Sequence, residues 1–245
     1  MQIEPFYNYS QLSEWIASKK NPILVKWLLI SIPIVMGISM LSYLIIWIIT
    51  RYLRKKALQA NLDKKDLPII NQINEQFNQM DARVLTLFHN AYHFNDIKWI
   101  ASTIKINGFK NILLIGKYLE TPLLLLQGNL KIQIDVFKNT LNVKKWNQKV
   151  KEYPELFSMP VNLVEQKNDK KYDLIIDLST TDNYEDYKNY YPMLNNDGLL
   201  MIKQSLIFDK NNLRILEKEL QNQNIKYEIS FAHSKFLYIV KKINE

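Results

Sequence analysis

The sequence contains no cysteine among its 245 residues. Disulfides, thiolate metal sites and a cysteine nucleophile are therefore excluded. Histidine is scarce as well, with only His89, His93 and His233. His89 and His93 have the i, i+4 spacing that can hold a metal on a helix. Asn90, Ala91 and Tyr92 lie between them, however, and no HExxH pattern accompanies them. They read as two ordinary helix histidines, and no metal site is expected. Glycine is limited to five residues, and no internal repeat or low-complexity block is present.

Charge is missing from one long stretch. From Trp27 to Thr50 there are 24 residues without a charged side chain, enough to cross a bilayer as a helix. Its polar residues are Ser31, Ser39, Ser42, Tyr43 and Thr50, whose hydroxyls can be satisfied within the helix. A signal peptide would have a shorter apolar core and small residues at a cleavage site. A soluble helix of this length would carry a polar stripe. The expected layout is a short extracytoplasmic tail (1–22), a transmembrane helix (23–50), a basic juxtamembrane linker (51–66), helices (67–110) and a folded domain (111–245). Arg51, Arg54, Lys55 and Lys56 follow the span directly, against Lys19, Lys20 and Lys26 before it. That bias favours a cytoplasmic carboxyl side.

The net charge is +8, of which residues 1–56 hold +5 and the remainder +3. Basicity concentrated at the span points to anionic lipid rather than to a nucleic-acid footprint. The expected partners are the bilayer and a protein or acceptor at its surface.

Beyond the span, apolar positions from Ile69 to Phe88 follow a helical period. A second helix is expected over 95–106, with Gly108 as its stop. Strands then alternate with helices. Strands are expected at Asn111–Ile115, Lys131–Val136, Pro160–Val164, Tyr172–Asp177 and Gly198–Ile202. Helices are expected from Thr121-Pro122 to Gly128, at Thr140–Tyr153, at Tyr184–Leu194 and at Asn212–Gln223. Apolar strands separated by helices imply a parallel sheet covered on both faces. The last two strands, Lys226–Ser230 and Phe236–Lys241, are too close for a crossover and should pair antiparallel.

Three segments carry a resemblance to a known family. They are NILLIG with Gly116, KIQIDVF with Asp135, and YDLIIDLST followed by YYPMLNNDGLLMI. Residues from about 95 onward resemble the S-adenosylmethionine-dependent, class I Rossmann-like methyltransferases. The chain with its anchor is similar to membrane-anchored methyltransferases of small-genome, wall-less bacteria. The resemblance implies an α/β fold: an N-terminal transmembrane helix, then a mostly parallel sheet of about seven strands ending in an antiparallel hairpin. It implies S-adenosylmethionine as cofactor, with Gly116 opening the cofactor loop and Asp135 holding the ribose. The loop departs from the family's GxGxG: Tyr118 and Glu120 replace the second and third glycines. Glu120 can instead meet the ligand's amino group, Tyr118 flanks it, and Asp177 ends a strand at the ligand crevice. No Asn/Asp-Pro-Pro-Tyr signature follows Asp177, and no catalytic base stands out. The implied function is methyl transfer to an acceptor near the inner membrane face. The alternative is an inactive methyltransferase-like domain acting as a membrane-anchored interaction module. A nucleotide-dependent oxidoreductase fits less well, because GxGxxG is missing and the sheet ends in a hairpin.

Overall fold

The structure, a computed structural model, describes residues 22–61, 65–166, 169–180, 182–204, 210–231 and 233–241. The expected tail lies outside the described residues. The chain divides into two compact units, Met1–Asp63 and Lys64–Glu245.

The described residues of the first unit form one helix, α1 (Pro22–Asn61), with Pro33 inside it. Within it Ile30–Thr50 has a mean hydropathy of 2.3 and none of it is buried. By length and composition it can cross a membrane. The hydroxyls of Ser39 and Thr50 donate to the carbonyls of Val35 (2.8 Å) and Ile46 (2.7 Å). Back-bonding of this kind removes the cost of a hydroxyl in hydrocarbon. At 1.5 Å per residue, 40 residues span about 60 Å, so the helix runs well past the apolar stretch, through the basic flank to Asn61.

The second unit is a seven-stranded sheet covered on both faces. Its strands are β1 (Ile112–Ile115), β2 (Ile134–Phe137), β3 (Asn162–Val164), β4 (Tyr172–Asp177), β5 (Leu194–Lys203), β6 (Tyr227–Phe231) and β7 (Lys235–Val240). They lie in the order β3-β2-β1-β4-β5-β7-β6. The first five are mutually parallel, and β7 runs antiparallel between β5 and β6. This is the mostly parallel sheet with a terminal hairpin that the alternation of elements implied.

Helices α2 (Leu67–Asn78), α3 (Phe94–Asn107), α4 (Glu120–Leu130) and α5 (Val143–Glu152) contribute to one core layer, with Ile112, Leu114, Ile134 and Val136 of the sheet. Helices α6 (Asn183–Tyr190) and α7 (Lys210–Asn222) close the other face over Leu113, Ile115, Ile175 and Leu200. Between β3 and β4 no helix intervenes among the described residues.

Two local expectations are corrected. The helical period through Phe88 does not become one helix. The chain leaves α2 at Asn78 and makes a 3-10 turn at Ala82–Leu85, held by the Asp81 side chain on the Arg83 N–H (2.9 Å). Such local side-chain bonding competes with helix. His89 and His93 are therefore not helical neighbours: His93 caps α3 and stacks on His233, while His89 meets Tyr118 edge-on. Likewise α4 begins at Glu120 without a side-chain cap and passes through Gly128 to Leu130. Thr121, where the helix was expected to start, is fully buried inside the first turn.

The start of β5 depends on close backbone approach. A Cβ added at Gly198 would lie 2.9 Å from the Asn195 carbonyl oxygen and 3.0 Å from that of Tyr172. Backbone cannot give as a flexible side chain does. Gly198→Ala is expected to cost about 1–3 kcal/mol through overpacking, which chemical denaturation followed by circular dichroism would measure.

Candidate functional site

Strand β1 delivers the chain to the carboxyl edge of the sheet at Ile115. There Gly116 takes φ 150°, a conformation open to glycine. Space is as tight as the torsion: an added Cβ would lie 2.9 Å from the Tyr92 hydroxyl and 3.2 Å from the Leu178 Cβ. Tyr118 follows with φ 56° and Thr180, beyond β4, has φ 55°. Non-glycine residues in this region cost roughly 1–2 kcal/mol each. Such strain concentrates where a site over-determines the backbone.

Between these turns lies a cleft of about 670 Å³, lined by Gly116, Tyr118 and Glu120 from the β1 turn, Asn139 and Asn142 from the β2 turn, and Ser179 after β4. Its size is that of a small-molecule pocket. It opens at the carboxyl ends of β1 and β4, where the chain order reverses across the sheet, the usual place for a ligand in an open parallel sheet.

Glu120 is buried, and its Oε1 accepts from the Asn142 N–H at 3.1 Å. It thereby ties the β1 turn to the start of α5. Asn142 in turn caps α5 through the Lys145 N–H (3.1 Å). Tyr118 is more than half exposed at the mouth and leans on His89, ring centroids 5.0 Å apart.

Of the residues expected to meet a cofactor, Gly116, Tyr118 and Glu120 line the cleft; Asp135 and Asp177 do not. Asp135 pairs in register with Leu113, two residues before β2 ends. It is buried, and its carboxylate accepts from Asn162 Nδ2 (2.6 Å), Lys170 Nζ (2.5 Å) and the Tyr172 hydroxyl (3.1 Å). Asp135 thus lies on β2, the strand expected to carry the acid, with its carboxylate in this polar cluster. Just beyond β2, the residue presented to the cleft is Asn139.

Asp177 ends β4 and is wholly buried. Its Oδ1 accepts from the Ser179 N–H at 2.8 Å, while Oδ2 has no hydrogen-bond partner among the described residues. Burial raises its pKa above the usual carboxylate range, opposed by the bonds from Ser179 and the nearby buried carboxyl of Asp186. Its structural contribution is to hold the Ser179 turn at the lip of the cleft.

Tyr92 was not visible as a site residue, because it arrives from a loop with no periodicity. Its hydroxyl donates to the Lys117 carbonyl and packs against Gly116. Burial pushes its pKa up to about 12, with further repulsion from Asp177 and Glu120, so at neutral pH it remains a donor. Lys203, at the end of β5, lies 5.2 Å above its ring and 3.5 Å from Asp96.

No protein-family model and no curated protein matches this sequence. Solved structures do resemble the fold. They include the SAH-bound methyltransferase PaMTH1 of Podospora anserina, 14% identical, covering 80% of this chain and 96% of its own, at a TM-score of 0.49. An O-methyltransferase of Bacillus cereus in complex with SAH is 12% identical over 78% of this chain and 97% of its own, at 0.46. TomG of Streptomyces achromogenes, in complex with SAM, is 9% identical over 76% and 95%, at 0.46. These are distant similarities, and the residues above carry the chemical argument.

The two buried aspartates should respond differently to substitution. Asp135→Ala removes the carboxylate that accepts from Asn162, Lys170 and Tyr172 and is expected to cost about 2–4 kcal/mol in denaturant unfolding, reduced from a fully buried pair by the exposure of Lys170. Ligand affinity at the cleft should stay within about twofold; a tenfold loss would return Asp135 to the site. For Asp177 the raised pKa means that folding favours the protonated acid. Its contribution is complete below the unfolded pKa and is lost as pH rises through the folded one. Asp177→Asn keeps the acceptor for Ser179 without the charge. Above the unfolded pKa, burying the acid costs free energy that burying the amide does not, so at pH 7–8 the variant's Tm should rise by a few degrees. At pH 3, where the acid is already neutral, Tm should be little changed.

Proposed function

We propose that the carboxyl-terminal unit is an S-adenosylmethionine-dependent methyltransferase held at the inner face of a membrane by α1. The cleft between the Gly116–Glu120 turn, the Asn139–Asn142 turn and Ser179 carries this reading. Its chemistry suits a nucleoside: amide groups of Asn139 and Asn142, a carboxylate at Glu120, a hydroxyl at Ser179 and the flat ring of Tyr118. Glu120 has one oxygen committed to Asn142, which leaves the other to accept from a ligand hydroxyl. The close Gly116 turn lets backbone approach the ligand. The cofactor supplies an activated methyl group. What the protein must add is chiefly alignment of donor and acceptor, so few dedicated acids or bases are needed. α1 would restrict the acceptor to molecules at the bilayer, where tethering raises effective concentration. The basic flank from Arg51 to Lys56 supports a cytoplasmic carboxyl side.

A second reading rests on Tyr92. Its hydroxyl stands 2.9 Å from the place of a Cβ on Gly116, and Asp135 is turned away from the cleft. A domain whose cofactor turn is closed in this way would serve as a membrane-anchored interaction module.

Titration of the full chain in detergent with S-adenosylhomocysteine separates the two. The methyltransferase reading expects a Kd in the micromolar range, weakened at least tenfold by Gly116→Val. Absence of heat at millimolar ligand sinks it in favour of the interaction module. The anchor predicts retention in membranes washed with alkaline carbonate, and a carboxyl-terminal reporter active only inside the cell.

A further inference from the structure

We infer that the face formed by α5 and the adjoining apolar groove docks on anionic lipid. Helix α5 divides its residues sharply. Trp146 is buried against Phe88, stacked at 5.6 Å, while Lys144, Lys145 and Lys151 are exposed. Lys149 is spent on Glu152 at 2.6 Å, and Lys145 lies 5.8 Å from the Phe88 ring. Lys144 and Lys151 have no acidic partner within ion-pair distance among the described residues.

Beside these lysines runs a groove of about 510 Å³, lined by Val143, Trp146 and Val150 of α5, by Phe157 and Met159 of the following segment, and by Leu163 of β3. Most of these apolar side chains are only partly buried. The groove follows β3, the edge of the sheet, where no helix separates β3 from β4 among the described residues. It meets the ligand cleft at Leu141, which lines both.

Apolar side chains flanked by unneutralised lysines match an anionic headgroup with its acyl chain. A soluble acidic peptide would leave the groove's apolar lining without a complement. The inference rests on the membrane-anchor reading. Only residues 62–66 separate α1 from α2 in sequence, a tether whose reach is at most about 20 Å when fully extended. Each lysine near an anionic surface shifts partitioning roughly fivefold. Reversing three should weaken docking by at least about a hundredfold.

The absence of cysteine makes the test clean. Asn147, exposed and on the groove, is replaced by Cys in the full chain and labelled with a polarity-sensitive fluorophore. Glu185→Cys, exposed on α6 over the opposite face of the sheet, serves as control. Each protein is reconstituted into nanodiscs of phosphatidylcholine alone or with about one third phosphatidylglycerol. The docked state should give a blue-shifted, brighter probe at position 147 only with phosphatidylglycerol. The signal should be quenched by spin-labelled lipid and lost at about 0.5 M salt, where charges are screened within a few ångström. It should also be lost in Lys144→Glu/Lys145→Glu/Lys151→Glu, with the probe at 185 silent throughout. Equal spectra in both lipids, or a blue shift that survives the triple reversal, would overturn the inference. Retention in carbonate-washed membranes, measured first on each protein, reads the anchor by itself. A silent probe in a retained protein therefore rejects docking and leaves the anchor standing.

Discussion

Strand β1 has no face turned to water, and the architecture of the folded unit follows from covering it. All four of its residues, Ile112 to Ile115, are at most 4% exposed. Parallel neighbours β2 and β4 satisfy its backbone on both edges, as buried peptide groups require. Ile112 and Leu114 need one apolar layer and Leu113 and Ile115 another. Helices α2 to α5 supply the first, and α6 and α7 the second. A strand enclosed in this way can be left only at its ends, and the cleft lies at the Gly116 end.

The same enclosure distributes roles among the carboxylates. Asp135 on β2, Asp177 at the end of β4 and Glu120 at the start of α4 are each buried. Glu120 starts a helix and reaches across to Asn142, so it joins the two turns that frame the cleft. Asp177 fixes Ser179 and thereby the third side. Asp135 is drawn inward by Lys170, Asn162 and Tyr172. The described part of the connection from β3 to β4 contains no helix. Lys170, at the end of it, supplies the positive charge that a buried Asp135 requires. One carboxylate builds the cleft, one braces its lip, and one stabilises the sheet edge behind it.

Several parts of this were legible in the residues. The run from Trp27 to Thr50 stands out because bilayer solubility is additive along a helix. The five strands of the parallel sheet were visible as short apolar blocks between helical periods. The closing hairpin was visible from the shortness of its connection. Boundaries at the Ala82–Leu85 turn and at α4 were not: Asp81 bonds the Arg83 N–H in one case, and in the other Thr121 is buried inside the first turn of a helix that begins without a side-chain cap. The polar turn at Asn139–Asn142 carried a faint signal, an Asn before a basic amphipathic helix, which reads as a cap before it reads as a wall of a cleft.

The residues by themselves determined the apolar helix, the alternation of strands and helices, the lone Gly116 at a strand end and the absence of thiol chemistry. These depend on local composition and period, which a chain carries whether folded or not. Tertiary structure alone decided which carboxylate faces the cleft, that Tyr92 comes from a distant loop to cover Gly116, and that Leu141, just before α5, is shared between the polar cleft on one side and an apolar groove on the other. Such placements depend on strand register and on layers packed from separate parts of the sequence. A shift of one residue along β2 would turn Asp135 to the other face, and no local pattern encodes that choice.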